Sequence, residues 1–151
     1  MTSIKKIAIW GCLVLCGTFL AGCASPLYAD ANLVKFNSQL TGRNESPSNS
    51  TMGRGVLEAS LNQVTNELTW RVTYSGLTGP VSAGHFHGPA TTGANAGVAL
   101  GFKGNLDSPI QGAATLTADQ ARDVMAGKWY VNLHTQAHPG GEVRAQLTPA
   151  N

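Results

Sequence analysis

The sequence predicts an all-β fold: an antiparallel Greek-key β-sandwich of about seven to eight short strands with one short helix. Three observations predict it. After residue 32, apolar and polar residues alternate with period two, as in Leu68, Trp70, Val72 and Tyr74 against Thr69, Arg71 and Thr73. Glycine is abundant, 18 residues beside 7 prolines, and without a collagen period that surplus marks tight turns between short strands. Hydrophobic residues make up 42% of the chain and charged ones only 12%, so a core can form; strands with one apolar face bury it only against a second sheet or by closing on themselves.

The first element is excluded from the fold. Lys5 and Lys6 precede an apolar run from Ile7 to Leu20 that is short for a membrane span, and residues 1–23 read as an export signal. The segment ends in Leu20-Ala21-Gly22-Cys23, which resembles the lipobox of bacterial lipoproteins. The resemblance implies that Cys23 is acylated, becomes the first mature residue and anchors the protein to the membrane. Ala24 in place of Asp is similar to lipoproteins sorted to the outer membrane. Two alternatives stay open: cleavage near Leu27-Tyr28-Ala29 or Ala29-Asp30-Ala31, giving a secreted or periplasmic protein, and an uncleaved anchor. Cys12 and Cys16 lie inside the apolar run, so a lipidated protein keeps only a capped cysteine. Neither a disulfide nor a cysteine ligand is then available.

Residues 24–31 form a tether, and one domain is expected over 32–149. Val34, Phe36 and Leu40 alternate with Lys35, Asn37 and Gln39, and the Gly/Asn/Ser/Pro cluster at 42–53 predicts a long exposed loop. Leu57, Ala59 and Leu61, a polar turn from Asn62 to Asn66, and the run from Leu68 to Tyr74 predict a hairpin. Val81 to His87 alternates again, as do Val98, Leu100 and Phe102, with a loop at 88–97 between them. Thr117 and Gln120 have capping-box spacing, Leu116 and Ala121 that of a hydrophobic staple, and Gly127 can end a helix, so a helix is predicted over 118–126. Trp129, Val131 and Leu133 alternate with Tyr130, Asn132 and His134, and after Pro139-Gly140-Gly141 a strand from Glu142 to Leu147 follows, with Val143, Ala145 and Leu147 inward.

The formal charge of +2 includes Lys5 and Lys6; ten basic residues less these two leave eight, matching eight acidic ones. A neutral domain without a basic run offers nothing to neutralise phosphates, so nucleic acid is excluded as a partner. There is no Gly-x-Ser-x-Gly elbow and no phosphate-binding glycine loop, which leaves acyl transfer and nucleotide hydrolysis without a motif. Asp107, Asp119 and Asp123 read as solvated carboxylates, and Glu142 with Arg144 as a surface pair beside the Gly-Gly turn. Asn44-Glu45-Ser46 and Asn49-Ser50-Thr51 match the glycosylation pattern, which a bacterial lipoprotein would rarely use.

The chemistry concentrates in four histidines. His85 and His87 are one residue apart, so in a strand both point away from the core if Phe86 points into it. Burying Trp129, Val131 and Leu133 likewise places His134 outside, and His138 follows in the next loop. Imidazole is the commonest metal ligand, and a His-x-His pair plus a third histidine suits copper or zinc. The competing explanation is that these rings make structural hydrogen bonds in glycine-rich turns. The candidate ligands are therefore His85, His87 and His134, with His138 as a fourth.

Phe36 to Leu40 followed by Thr41-Gly42, then Ala83-Gly84-His85-Phe86-His87-Gly88-Pro89, Tyr130-Val131-Asn132-Leu133-His134-Thr135 and Pro139-Gly140-Gly141-Glu142-Val143-Arg144-Ala145-Gln146-Leu147, resemble the CHRD (chordin) domain over about residues 33–148. The resemblance implies an extracellular or cell-surface placement more than any activity; the favoured reading is a non-catalytic surface domain that binds a partner protein, an envelope polymer or a metal ion. His85 and His87 are also similar to the His-x-His strand of copper/zinc superoxide dismutases, with His134 in place of a later ligand, which implies as the alternative a copper-dependent redox enzyme. The cysteine pair and the zinc-loop residues of that family are missing, which counts against fast dismutation.

Overall fold

The computed structural model describes residues 31–150. The expected export segment with Cys23, and the expected tether as far as residue 30, lie outside the described residues. The strands are β1 (Leu33–Thr41), β2 (Arg54–Asn62), β3 (Glu67–Ser75), β4 (Val81–His87), β5 (Val98–Gly101), β6 (Ile110–Thr115), β7 (Tyr130–Thr135) and β8 (Val143–Gln146), with one helix, α1 (Ala118–Met125), before β7. The architecture is all-β and antiparallel, in one continuous sheet of order β5-β4-β7-β8-β1-β2-β3-β6. The sheet curls until its inward side chains meet: Trp70 of β3 touches Phe86 of β4 edge-on at 5.3 Å, and Phe102 after β5 stacks on Trp70 at 5.4 Å. The two layers implied by the alternation are thus halves of a single sheet.

Local chemistry explains the elements. The inward series Leu57, Leu61, Leu68 and Val72 is fully buried on β2 and β3, each such side chain contributing about 1.5–3 kcal/mol by leaving water. Their turn is closed by Asn62 Oδ1, which accepts from the Val64 and Thr65 amides at 2.9 and 3.1 Å, and by Asn66 in the left-handed region at φ 55°. Thr117 and Gln120 complete the predicted capping box, and Ala121 and Val124 turn the helix face into the core. Asp119 and Arg122 pair on its exposed side.

Three expectations are corrected. First, β6 was not anticipated, because Ile110-Gln111-Gly112-Ala113-Ala114-Thr115 carries a single large apolar residue. The space inside β6 is taken by Trp70 of the neighbouring strand: a Cβ at Gly112 would collide with its indole ring, so only small residues fit. Second, the 42–53 loop is not simply exposed. It begins with a 3-10 turn at Gly42–Asn44 and folds over β8, with Asn44 Nδ2 donating to the Arg144 carbonyl at 3.1 Å and Asn49 Nδ2 to the Glu142 carbonyl at 3.0 Å. Gly42, Glu45 and Gly53 are buried.

Third, Glu142 and Arg144 do not form a surface pair; both are buried, at 0% and 1% exposure, and they point to different partners. Glu142 accepts from Thr51 Oγ1 at 2.7 Å, Thr78 N at 2.8 Å, Thr78 Oγ1 at 2.7 Å and Thr135 Oγ1 at 2.6 Å. Arg144 donates to Asn95 Oδ1 and to the Ala94 carbonyl, at 3.0 and 2.7 Å, in the 88–97 loop. Outward-facing residues of β7 and β8 are therefore covered by two loops, and a second, polar interior lies outside the apolar one.

Candidate metal centre

β4 and β7 are neighbours, with His85 opposite Asn132, Ala83 opposite His134 and His87 opposite Tyr130. This register brings together side chains that are 47 to 49 residues apart in sequence. Phe86 is fully buried, which turns His85 and His87 to the outer face, where His134 joins them. One ring nitrogen from each of His85, His87 and His134 lies within 4.8 Å of the other two, the one such group among the described residues. His138 is outside it; its backbone N–H donates to Thr135 Oγ1 at 3.3 Å, and the residue lines a separate pocket with Glu45 and Asn95.

The ring orientations are held from behind. His87 Nδ1 is 3.1 Å from the Ala96 carbonyl and His134 Nδ1 is 2.9 Å from the Pro139 carbonyl. A carbonyl only accepts, so a neutral ring at either position carries its proton on Nδ1 and turns its Nε2 lone pair inward to the cluster. Such carbonyl contacts are how ligating histidines are usually oriented. His87 also stacks on Tyr130, centroids 4.7 Å apart and planes 3° apart, while the Arg144 guanidinium lies 3.4 Å over the same tyrosine ring. Tyr130 and Arg144 thus form a rigid floor under His87.

Within the cluster, His85 Nδ1 is 3.1 Å from His134 Nε2, and the Asn132 side-chain oxygen is 3.0 Å from both His87 Nε2 and His134 Nε2. Burial lowers the pKa of His85, and positive charge on His134 or His87 lowers it further. Burial also lowers that of His134, against the bond to Pro139 and with the His87 charge. Both shifts favour the neutral ring, the state a metal requires. Bonds of about 2.0–2.1 Å to one ion put tetrahedral ligands about 3.3 Å apart, within about 1–2 Å of side-chain adjustment here.

A family model for the CHRD domain matches residues 36–147. The chain belongs to the CHRD family. No curated protein and no solved structure matches it. The match takes in all three clustered histidines and also residues to which the sequence assigns no part in a site: Glu45, which falls within a glycosylation pattern, Asn132, which alternation places on the outer face, and Arg144, which reads as half of a surface pair with Glu142. Alternation did put Asn132 on the same face as His134, but nothing in the pattern marks that face as covered.

Proposed function

We propose that this CHRD domain binds a copper or zinc ion through His85, His87 and His134, in a non-catalytic role at the cell envelope, held there by a lipid on Cys23. The observation that carries the metal reading is the convergence of three imidazoles with two Nδ1 atoms anchored on the Ala96 and Pro139 carbonyls. The envelope placement is supported by the charged, apolar and lipobox-like order of residues 1–23. A partner protein or envelope polymer is the ligand class left if metal is not taken up.

Calorimetric titration of the purified protein with Cu(II) and Zn(II) tests the proposal. Binding is expected, together with a rise in unfolding free energy of about 2.7 kcal/mol when free metal is a hundredfold above Kd. A His87→Ala/His134→Ala variant is expected to stay folded and lose both, while His138→Ala retains both. Absence of binding, or equal binding by the double variant, overturns the reading. A copper redox enzyme of the superoxide dismutase type remains the alternative. It requires the loaded protein to consume superoxide faster than free copper does.

A further inference from the structure

We infer that the side-chain oxygen of Asn132 is a fourth metal ligand, so that His85, His87, His134 and Asn132 form an N3O set for divalent copper or zinc; the inference rests on the metal-binding reading above. Hydrogen bonds at the cluster leave acceptors facing one another. His87 and His134 spend their ring protons on the Ala96 and Pro139 carbonyls, which leaves both Nε2 atoms as acceptors. Both face Asn132 Oδ1 at 3.0 Å, and that oxygen is also an acceptor. His85 Nδ1 has one proton to offer, and it lies 3.1 Å from His134 Nε2. With the histidines neutral, neither Nε2 contact to Asn132 Oδ1 then holds a proton. Two lone pairs facing each other in a buried setting repel unless positive charge lies between them.

Asn132 is also built into place. It is 3% exposed, lies opposite His85 in the β4–β7 register, and so faces the cluster and not solvent. Its amide nitrogen lies on the side of the Glu45 carboxylate: a Cβ added at Gly141 would run into both Asn132 Nδ2 and Glu45 Oε1, and Gly141 has φ 128°, a conformation side chains rarely adopt. A carboxylate attracts the amide N–H and repels the amide oxygen, which directs Oδ1 to the histidines. Glu45 is thus a positioning residue, acting through Asn132.

Three of the six separations among these atoms, 3.0 to 3.1 Å, are close to the edge, about 3.3 Å, of a tetrahedron around an ion with bonds of about 2.0–2.1 Å, and the three histidine nitrogens all lie within 4.8 Å of one another. Three imidazoles and an amide oxygen, without sulfur, suit Cu(II) and Zn(II) better than Cu(I). Four protein donors also fill the position that a catalytic zinc site leaves open, in keeping with binding over turnover.

The test compares wild-type protein with Asn132→Ala, Asn132→Asp and His87→Ala by competitive Cu(II) and Zn(II) titration and by electron paramagnetic resonance of the Cu(II) forms, with circular dichroism as the folding control. Expected are a wild-type spectrum of three nitrogens and one oxygen, a changed hyperfine coupling with at least about tenfold weaker binding in Asn132→Ala, and recovered affinity with altered hyperfine values in Asn132→Asp. Wild-type affinity and spectrum in Asn132→Ala overturn the inference and reduce Asn132 to a hydrogen-bonding neighbour. Should Asn132→Ala not fold, Asn132→Asp decides: a spectrum identical to wild type overturns the inference, since a carboxylate ligand differs from an amide. Failure of the wild type to bind Cu(II), or undiminished binding by His87→Ala, overturns the metal-binding reading itself.

Discussion

Two carboxylates are buried under the loops that cover β7 and β8, and their surroundings are opposite in kind. Burial pushes the pKa of Glu142 up, but hydrogen bonds from Thr135, Thr51 and Thr78 outweigh it and hold the group below the usual carboxylate range. Burial pushes Glu45 up to about 7, against weaker help from the Arg144 charge, the Asn132 amide and Ser46. Glu45 Oε1 has no hydrogen-bond partner, whereas both oxygens of Glu142 are occupied. The two polar regions do different work. Around Glu142 donors match acceptors, and the ion ties the 42–53 loop, the β3–β4 turn and β7 together. Around Glu45, Asn132 and the histidines acceptors outnumber donors, which is the condition of a site for a cation.

Removing the matched carboxylate has the largest effect. Glu142→Ala leaves the hydroxyls of Thr51, Thr78 and Thr135 and the Thr78 amide without their acceptor, and unmet buried donors cost about 1–3 kcal/mol each before relaxation. A net loss of about 3 kcal/mol is expected, read in thermal denaturation as a fall in Tm of about 10 °C. A loss no greater than that of a Glu45 variant would break the contrast.

Acid titration sharpens it. Because the folded pKa of Glu142 is lowered, its contribution is present above the unfolded value near 4.5 and is lost as pH falls through the folded value. Denaturant unfolding below pH 4.5 should therefore show wild-type stability falling faster than that of Glu142→Gln. Parallel curves would mean that the threonine bonds do not hold the charge.

Glu45 gives the smallest effect, with the opposite sign. Its folded pKa lies above its unfolded one, so the folded chain loses stability as pH rises through about 7 and regains it as pH falls toward 4.5. His85 and His134, lowered by burial, work against this gain below pH 6.5 in both proteins, so the comparison must be with Glu45→Gln. That variant is expected to be more stable than wild type at pH 8, by under about 1 kcal/mol, with the advantage gone at pH 5. Urea unfolding at both values checks it, and a constant difference would show that Glu45 does not change its proton there.

Much of the fold was legible because alternation is a local signal. Leu57 to Leu61, Leu68 to Val72 and Trp129 to Leu133 each announce a strand and its inward face, and Thr117 with Gln120 announces the helix start. The strand at Ile110–Thr115 was silent because a residue on another strand, Trp70, fills its space. The histidines were legible as candidates and as outward-facing, but their meeting was not.

Sequence alone determined the strand-rich fold, the inward faces, the capped helix and the three histidine side chains turned away from the apolar core, since each depends on residues two to four positions apart. Tertiary structure decided that β4 lies beside β7 in the register that unites His85, His87 and His134, that His138 stands apart, and that loops at 42–53 and 88–97 bury Glu45, Asn132, Glu142 and Arg144. Those outcomes depend on contacts between segments about 50 to 100 residues apart, which no local period encodes.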